Sequence, residues 1–400
     1  MVDDFDVCFL VFSLQRWDYS NRKFMFLNLS ERINKKSIII FIDRPLNFLP
    51  GSIFKEKLLH PLKFIINKIH INEKLIIFRP IYFFHEQFLG GKVNKVNKKL
   101  LESQLLKNGL DLAKFKKIVY WIYSPYFLPF YQSLIPNEKY LIYEVFDEIT
   151  KSPLDKIHKT TARIEPKTLN EANIIFTISD SVASVRSHYK NKVVVIGNGI
   201  NYEYFDNKEN LKDPPHDICF IKKPIICLSG VIRNWIDFKL LESLILSNSD
   251  LSFVLIGKVE KNVSKKVKTL ISEFSNVHHL GYKSQSELAK YYSYIDVGII
   301  PYLQTDFIKS SRPIKLFEFL ASGVPVVSVP VDVHSITEIP GVIYIAYDID
   351  EFQKKIRKAI NDKSTNFIKL RKEIAKQNSW EKINNKIIEK IYEFGLLERH

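Results

Sequence analysis

Short apolar runs that alternate with longer amphipathic stretches are the feature that most constrains the fold of this chain. Runs such as Ser37–Ile42 and Ile225–Ser229 are continuous and rich in β-branched residues, a pattern typical of strands buried on both faces of a sheet. Stretches of helical character, such as residues 156–172 and Phe238–Leu246, separate these runs. Repeated strand–helix units predict an α/β fold with doubly wound parallel sheets.

The alternation occurs in two series, which predicts two similar-sized domains. A polar stretch at residues 206–217, which contains Pro214 and Pro215, separates the series and suits an extended connector. The predicted organisation is a first domain at residues 1–205 joined by a C-terminal helix at 379–400, a linker at 206–222, and a second domain at 223–378. Ligands of such sheets bind beyond the carboxyl ends of the strands, so we expect the site in a cleft that the two domains face.

The charge is unevenly distributed along the chain. The net charge is +15, and 30 of the 59 basic residues but only 19 of the 44 acidic residues lie in residues 1–200, which gives +11 there and +4 in residues 201–400. A basic half suggests an anionic partner such as nucleic acid, a membrane surface or a phosphorylated ligand. Because hydrophobic residues make up 46% of the chain, a disordered protein is excluded.

Cysteine usage and the N-terminus indicate a reducing compartment. Cys8, Cys219 and Cys227 lie in or beside apolar runs, so we expect three buried free thiols. The first residues are acidic rather than basic, which argues against a signal peptide. Because no stretch reaches about 18 uninterrupted apolar residues, the sequence predicts no membrane-spanning helix and a cytoplasmic location.

The stretch from Ser310 to Ser328 is the most informative for chemistry. Ser310, Ser311 and Arg312 precede Pro313, which suits the first position of a helix, so these residues are expected at an anion-attracting helix N-terminus. Lys315 and Glu318 are three residues apart and share a helix face. A lysine for phosphate and a glutamate for ribose hydroxyls would suit a nucleoside diphosphate, whereas the alternative is an ordinary surface ion pair.

At this point the sequence resembles the retaining GT-B-fold glycosyltransferases of the large family 4 type, also called glycosyl transferases group 1. The stretch Glu318-Phe-Leu-Ala-Ser-Gly-Val-Pro-Val-Val327 is similar to the end of the family's nucleotide-sugar signature. Further stretches agree with the family in sequence order across roughly residues 118–330, and they begin at Glu171, Lys192, Leu228, Val254, His279 and Tyr292. Each stretch is weakly specific alone, but the ordered set is specific.

The sequence is most similar to the subset typified by teichuronic-acid and capsule-type transferases. The stretch Tyr143-Glu-Val-Phe-Asp147-Glu148 resembles that subset's Y-D-x-x-D-e motif, and Gly230-Val-Ile-Arg-Asn-Trp-Ile-Asp237 resembles its G-x-i-x-x-W-x-D motif. The resemblance implies two Rossmann-like domains and a donor site in the second. The implied donor-binding residues are Gly230, Arg233, Tyr282, Ser310, Ser311, Arg312, Lys315 and Glu318.

One departure from the family bears on the reaction. The wider family carries a glutamate eight residues before Glu318, but Ser310 occupies that position here, so the donor sugar and the stereochemical outcome stay open. An inverting reaction would need a carboxylate as the base in the first domain, and the candidates are Asp147, Glu148 and Asp18. Each of these is equally consistent with a helix cap or a solvent-exposed charge. A retaining reaction needs no such base in its usual form.

The basic first half suggests a membrane-facing acceptor domain. Residues 54–74 mix five lysines (Lys55, Lys57, Lys63, Lys68 and Lys74) with apolar residues, which indicates an amphipathic element interrupted by Pro61. Residues 92–117 add eight more lysines. The alternative is a helix packed on the sheet with solvated lysines.

The resulting expectation is a glycosyltransferase that moves a sugar from a nucleotide donor, UDP- or GDP-linked, onto a cell-surface polysaccharide or lipid-linked glycan at the inner face of the membrane. No cofactor and no metal ligand are expected. A dehydrogenase and a P-loop NTPase are excluded because their glycine motifs are absent, and no nucleic-acid-binding motif accompanies the charge. A sugar-nucleotide epimerase and a non-catalytic nucleotide-sugar-binding protein stay open as alternatives.

Overall fold

The structure, a computed structural model, describes residues 4–13, 15–20, 22–44, 46–47, 68–82, 91–133, 138–146, 155–207 and 215–398. The chain divides into two compact units. Unit 1 comprises residues 1–178, 182–196 and 384–400, and unit 2 comprises residues 179–181 and 197–383.

Unit 1 is built on an eight-stranded sheet in the order β10-β9-β8-β7-β1-β2-β5-β4, and a two-stranded sheet pairs β3 with β6. All neighbouring strands are parallel except β4, which runs antiparallel to β5. The strands are β1 (Val7–Phe12), β2 (Ser37–Ile42), β3 (Leu46–Asn47), β4 (Lys68–Asn72), β5 (Leu75–Phe78), β6 (Ile81–Tyr82), β7 (Lys117–Ile122), β8 (Glu138–Val145), β9 (Ile174–Thr177) and β10 (Val193–Val195). The central strands are continuous apolar runs that are buried along their length, which confirms the predicted doubly wound pattern.

The helices of unit 1 include a long one that contacts the two-stranded sheet. They are α1 (Lys23–Arg32), α2 (Gly91–Lys107), α3 (Leu128–Ser133), α4 (Asp155–Glu171) and α5 (Asp180–Ser184), whose first two residues belong to unit 2. Gln104 of α2 exchanges two hydrogen bonds of 2.9 Å with the backbone of Ile81 in β6.

Unit 2 contains a six-stranded sheet in the order β13-β12-β11-β14-β15-β16, in which all strands are parallel. The strands are β11 (Ile225–Ser229), β12 (Ser252–Ile256), β13 (Val277–His279), β14 (Val297–Ile300), β15 (Val326–Ser328) and β16 (Ile343–Ile345). In sequence order this arrangement is 3-2-1-4-5-6, the order of a dinucleotide-binding α/β fold. The strand order therefore reverses between β11 and β14.

Ten helices of the described chain surround the second sheet or close the chain. They are α6 (Tyr202–Phe205), α7 (His216–Cys219), α8 (Phe238–Leu246), α9 (Ser264–Glu273), α10 (Gln285–Tyr292), α11 (Asp306–Ser310), α12 (Ile314–Ala321), α13 (Ile349–Asn361), α14 (Thr365–Gln377) and α15 (Trp380–Glu393). Most of α15, from Asn384 onward, belongs to unit 1, where Asn384 donates a 2.9 Å hydrogen bond to the carbonyl of Met25 in α1.

Two features of the connection between the units differ from the sequence prediction. Ile200 and Phe205 precede the predicted linker but are buried in the core of unit 2, and so is Ile218 from the predicted linker itself. The second unit therefore begins before residue 205. Cys219, expected to be buried, is exposed, because the short helix α7 buries only Ile218.

The basic stretch at residues 54–74 also differs from expectation where it can be described. Residues 54–67 lie outside the described part, and residues 68–72 form the edge strand β4 rather than a helix. Lys68 donates a 2.7 Å hydrogen bond to the carbonyl of Asn108, and Lys74 donates one of 3.0 Å to the carbonyl of Ile33. These two lysines are therefore tied to the fold. Across the described residues, the helices fall short of the length and apolarity that a bilayer span requires.

Candidate functional site

Two glycines mark the carboxyl edge of the second sheet, beside the reversal of strand order where such folds bind ligands. Gly230 directly follows β11 with a φ of +118°, and Gly257 directly follows β12 with a φ of +148°. A Cβ atom on Gly257 would lie 1.8 Å from the carbonyl oxygen of Gly230. Only glycine permits this close approach of the two loops.

Helix α12 lies against the first of these loops. Its N-cap is Pro313, so the helix begins at Ile314, one residue later than the sequence predicts, and its core-facing side chains are buried. Gly323 ends the helix with a φ of +80°, as expected for a left-handed C-terminal residue. The Cε atom of Lys315 lies 3.6 Å from the position that a Cβ would take on Gly230. A methyl group at residue 230 would therefore make ordinary van der Waals contact with Lys315, and the requirement for glycine there comes from the positive φ.

Lys315 and Glu318 form an ion pair on the shared face that their spacing predicts. The Lys315 Nζ atom lies 2.7 Å from Glu318 Oε2, and the exposed side-chain fractions are 23% and 2%. The Nε2 atom of Gln285, the first residue of α10, donates a 3.1 Å hydrogen bond to the other carboxylate oxygen. Because Glu318 is buried, the pair is not the surface ion pair that the sequence left open. The pair places the Lys315 ammonium beside Gly230, next to the Glu318 carboxylate that Lys315 and Gln285 both contact.

A buried tyrosine, Tyr292, holds the end of β11 that precedes Gly230. The hydroxyl of Tyr292 in α10 donates a 2.6 Å hydrogen bond to Ser229 Oγ, at the last position of β11. Burial, together with the nearby Glu318 carboxylate, raises the pKa of Tyr292 well above its usual value. Tyr292 therefore stays a neutral donor and fixes the strand end that precedes Gly230.

The loop between β13 and α10 is held at several points and presents one exposed ring. Lys283 pairs with Asp217 at 2.8 Å, and Tyr291 donates a 2.6 Å hydrogen bond to the same carboxylate. Burial acts to raise the pKa of Asp217, but the hydrogen bonds from Lys283 and Tyr291 outweigh it and hold the pKa below its ordinary value. Tyr282, a predicted donor-site residue, is 75% exposed on this anchored loop.

Arg233 lies in the loop after β11 and is stacked and paired. Its guanidinium carbon lies 4.4 Å from the centre of the Trp235 ring, and its Nη2 atom lies 2.6 Å from Glu260 Oε1. Asp237 caps helix α8 by accepting hydrogen bonds from two backbone N–H groups. The tryptophan and aspartate of the G-x-i-x-x-W-x-D motif thus have structural partners in this unit.

The residues before α12 are engaged within unit 2. Ser310 Oγ donates to the carbonyl of Phe307 at 2.9 Å, and Ser311 Oγ donates to that of Ile308 at 2.8 Å. Arg312 pairs with Asp332 at 2.5 Å through Nη1 and donates a 3.0 Å hydrogen bond to Asn378 through Nη2.

Asp332 is the buried partner that holds Arg312. Its side chain is inaccessible to solvent and its φ is +40°. The structure therefore places the Arg312 guanidinium against Asp332 and Asn378, and it places Lys315 beside Gly230.

Of the three carboxylates predicted in the first domain, only Asp18 is described. Asp147 and Glu148 lie outside the described residues. Asp18 follows β1, and Arg79 reaches it at 3.2 Å while holding the buried Asp43 at 2.8 Å. Burial raises the pKa of Asp43 although Arg79 pairs with it. Asp18 is thus located at the carboxyl edge of the first sheet, within a group of charges contributed by three strand ends.

Besides Asp332 and Asn378, three polar residues of the described chain were not predicted from the sequence. Gln285 and Glu260 contact the predicted site, but neither carries a local signal because their partners lie 33 and 27 residues away. Glu144 is inaccessible in β8, where Arg22 pairs with it at 2.6 Å and Trp121 donates a 2.9 Å hydrogen bond. A charge inside a continuous apolar run was the available signal for Glu144.

The comparisons with known proteins agree with this arrangement. Residues 225–362 match the family described as "Glycosyl transferases group 1". Residues of this chain are 33% identical over 139 residues to the putative teichuronic acid biosynthesis glycosyltransferase TuaH of Bacillus subtilis (strain 168). That alignment covers 34% of this chain and 34% of the relative, so the chain matches about a third of that protein's length.

Solved structures extend the similarity to the whole fold. The structure of Anabaena Alr3699/HepE in complex with UDP and glucose has a TM-score of 0.65 and 13% identity, covering 96% of this chain and 99% of that one. Sucrose-phosphate synthase (tll1590) from Thermosynechococcus elongatus has a TM-score of 0.67 and 14% identity, covering 96% and 98%. At such identities the likeness shows the fold, and it confirms the expected GT-B architecture.

Proposed function

We propose, from the premise that this chain carries a glycosyl transferases group 1 domain on a GT-B fold, that it transfers a sugar from a nucleotide-sugar donor to a glycan acceptor. The observation that carries the proposal is the buried Glu318 carboxylate held beside Lys315 and Gly230 at the carboxyl edge of the second sheet. The HepE structure was solved with UDP and glucose, which supports a uridine nucleotide as the first donor to test.

The geometry suits a nucleoside diphosphate. Glycines at residues 230 and 257 let the backbone approach a ligand closely. The ammonium of Lys315 would meet the diphosphate, and the Glu318 carboxylate would accept hydrogen bonds from ribose hydroxyls. Tyr282, exposed on its anchored loop, would lie against the nucleobase.

Chemically, the protein must stabilise the negative charge that develops on the departing diphosphate. Lys315 and the backbone N–H groups at the start of α12 would supply this stabilisation. Ser310 is the chain's residue where the wider family carries a glutamate, so no carboxylate side chain at that position would face the donor sugar. If the reaction inverts, Asp18 is the described candidate for the base, and Asp147 and Glu148 are the others.

The acceptor is proposed to be a cell-surface polysaccharide or a lipid-linked glycan, met at the inner face of the cell membrane. The relative TuaH is described as a putative teichuronic acid biosynthesis glycosyltransferase, which supports an envelope polysaccharide. The +11 net charge of residues 1–200 supports a peripheral contact with anionic lipids. Within the described residues, helix α2 carries exposed Lys99, Leu106 and Lys107, which would serve such a contact.

Incubation with labelled UDP- and GDP-sugars tests the function. Transfer of label to an added membrane or glycan fraction, or slow hydrolysis of the donor, is the expected result. The matched variant Glu318→Gln should reduce this turnover at least tenfold, because a hydrogen bond to a charged group is worth about 1.5–3 kcal/mol. An altered sugar still attached to its nucleotide would indicate an epimerase, and binding without turnover would indicate a non-catalytic protein.

A further inference from the structure

Arg233 and Glu260 are held at a fixed separation by the backbone beneath them. The loops after β11 and β12 continue their pairing, because the Ile232 N–H donates to the carbonyl of Lys258 at 2.9 Å and the Glu260 N–H donates to that of Ile232 at 3.0 Å. Arg233 and Glu260 directly adjoin these bonds. Their ion pair therefore lies on the hydrogen-bonded extension of the sheet edge that follows Gly230.

The pair leaves the arginine only partly satisfied. Arg233 and Glu260 are 32% and 35% exposed, and a single short contact of 2.6 Å joins them. One face of the guanidinium is covered by Trp235. Among the described residues, the buried Nε atom of Arg233 has no hydrogen-bond acceptor, and a buried donor without an acceptor is unfavourable.

A diphosphate would satisfy this guanidinium better than one carboxylate oxygen does. The planar guanidinium presents five N–H donors in a fork that matches phosphate oxygens. Glu260 offers one oxygen at one edge of that fork. Because Arg233 is three residues from Gly230, an anion bound over Gly230 and Lys315 would be within reach of a long arginine side chain that leaves Glu260.

We propose that Glu260 competes with the donor diphosphate for Arg233 and thereby sets how tightly the site holds nucleoside diphosphates. The inference rests on the proposed function, because it takes the diphosphate to bind at the edge marked by Gly230 and Lys315. Free of ligand, Arg233 rests on Glu260 and Trp235. With ligand, Arg233 turns to the diphosphate and Glu260 is released to solvent.

Glu260→Gln removes the competing charge while keeping the size of the side chain. We expect this variant to bind UDP and inorganic pyrophosphate about two- to fivefold more tightly than the parent, the range for a partly exposed ion pair. The gain should shrink when the salt concentration rises from about 0.05 M to 0.5 M, because salt screens exposed charges. Isothermal titration calorimetry on the full chain measures both ligands.

Two controls isolate the mechanism. Glu273→Gln removes an exposed negative charge at the end of α9 and should leave both affinities unchanged. In an Arg233→Gln background, Glu260→Gln should have no further effect, because the group being contested is gone. Melting temperatures of all variants, measured alongside, establish that each protein is folded.

The outcomes separate this inference from the proposed function. Tighter pyrophosphate binding by Glu260→Gln supports the competition even if labelled sugar nucleotides are never turned over, which would overturn only the transferase. Unchanged or weaker binding by Glu260→Gln in a parent that binds UDP and turns over the donor would overturn the competition alone. Absence of pyrophosphate binding in both the parent and the variant would also overturn it.

Discussion

Removing either partner of the Lys315–Glu318 pair should destabilise unit 2 by unequal amounts, because the two side chains are buried to different degrees. Glu318 is 2% exposed and Lys315 is 23% exposed. Lys315→Met leaves a buried carboxylate with Gln285 as its described donor. Glu318→Gln leaves an ammonium that can reach water, next to an amide that still accepts hydrogen bonds.

The magnitudes follow from these surroundings. Breaking a buried ion pair by removing one partner costs about 3–5 kcal/mol of stability. Because the hydrogen bond from Gln285 remains, we expect Lys315→Met to cost about 2–3 kcal/mol. Glu318→Gln should cost under about 1 kcal/mol, as for a partly exposed pair. For a unit the size of residues 197–383, each kcal/mol lowers Tm by about 2–4 °C.

Scanning calorimetry of the full chain measures these shifts. Lys315→Met should lower the transition of unit 2 by about 4–12 °C, Glu318→Gln by less than about 4 °C, and the double variant should recover most of the loss. A loss for Glu318→Gln that equals or exceeds the loss for Lys315→Met would refute the reasoning. A double variant whose loss of stability equals the sum of the two single losses would refute the reasoning as well.

Arg371 supplies a marker that assigns the transition to unit 2. Its guanidinium is buried and donates to the carbonyls of Gly341, Gly323 and Asp362 at 2.6–2.8 Å. Arg371→Met removes the donor shared by these three carbonyls, of which that of Gly341 is buried. The transition that falls most in this variant is therefore that of unit 2.

Two further predictions concern the loops around the site. Gly257→Ala should abolish nucleotide binding in a thermal-shift assay, because its Cβ would lie 1.8 Å from the carbonyl oxygen of Gly230. The control Gly281→Ala has open space around its Cβ, so it should still bind the nucleotide and lose about 1–2 kcal/mol of stability. Equal binding by the two variants would contradict the geometry. Asp217→Asn should lower stability at pH 7 by up to about 1 kcal/mol, because the lowered pKa of Asp217 stabilises the folded state above the unfolded value of about 3.9. Urea denaturation at a series of pH values measures the difference in stability between the parent and Asp217→Asn, which should disappear as the pH falls below about 4. A difference in stability that persists below this pH would refute the role of the Asp217 charge.

Much of the fold could be predicted because the strands are continuous buried runs. Ser37–Ile42 and Ile225–Ser229 match the structure residue for residue, since a parallel strand covered on both faces requires apolar side chains throughout. The edge strand Lys68–Asn72 was missed because its alternating, half-exposed residues continue a basic stretch that resembles an amphipathic helix.

Contacts in the candidate site could be predicted where both residues lie on one helix, because helical spacing brings them together. Contacts between residues far apart in the sequence could not be predicted. The contact between Lys315 and Glu318 follows from three residues of helix. The engagement of Arg312 by Asp332 depends on a residue 20 positions away, and Glu260 reaches Arg233 because two strands bring their carboxyl ends together. No local sequence pattern indicates either of these ion pairs.

The central claim is that unit 2 binds the nucleoside diphosphate of a sugar donor at the edge formed by Gly230, Lys315 and Glu318. Calorimetric titration of the full chain with UDP, GDP, ADP and dTDP tests it most directly. The account predicts binding of at least one of these nucleotides at one site per chain, weakened at least tenfold by Glu318→Gln. A parent protein that binds none of the four, or an affinity that Glu318→Gln leaves unchanged, would contradict it.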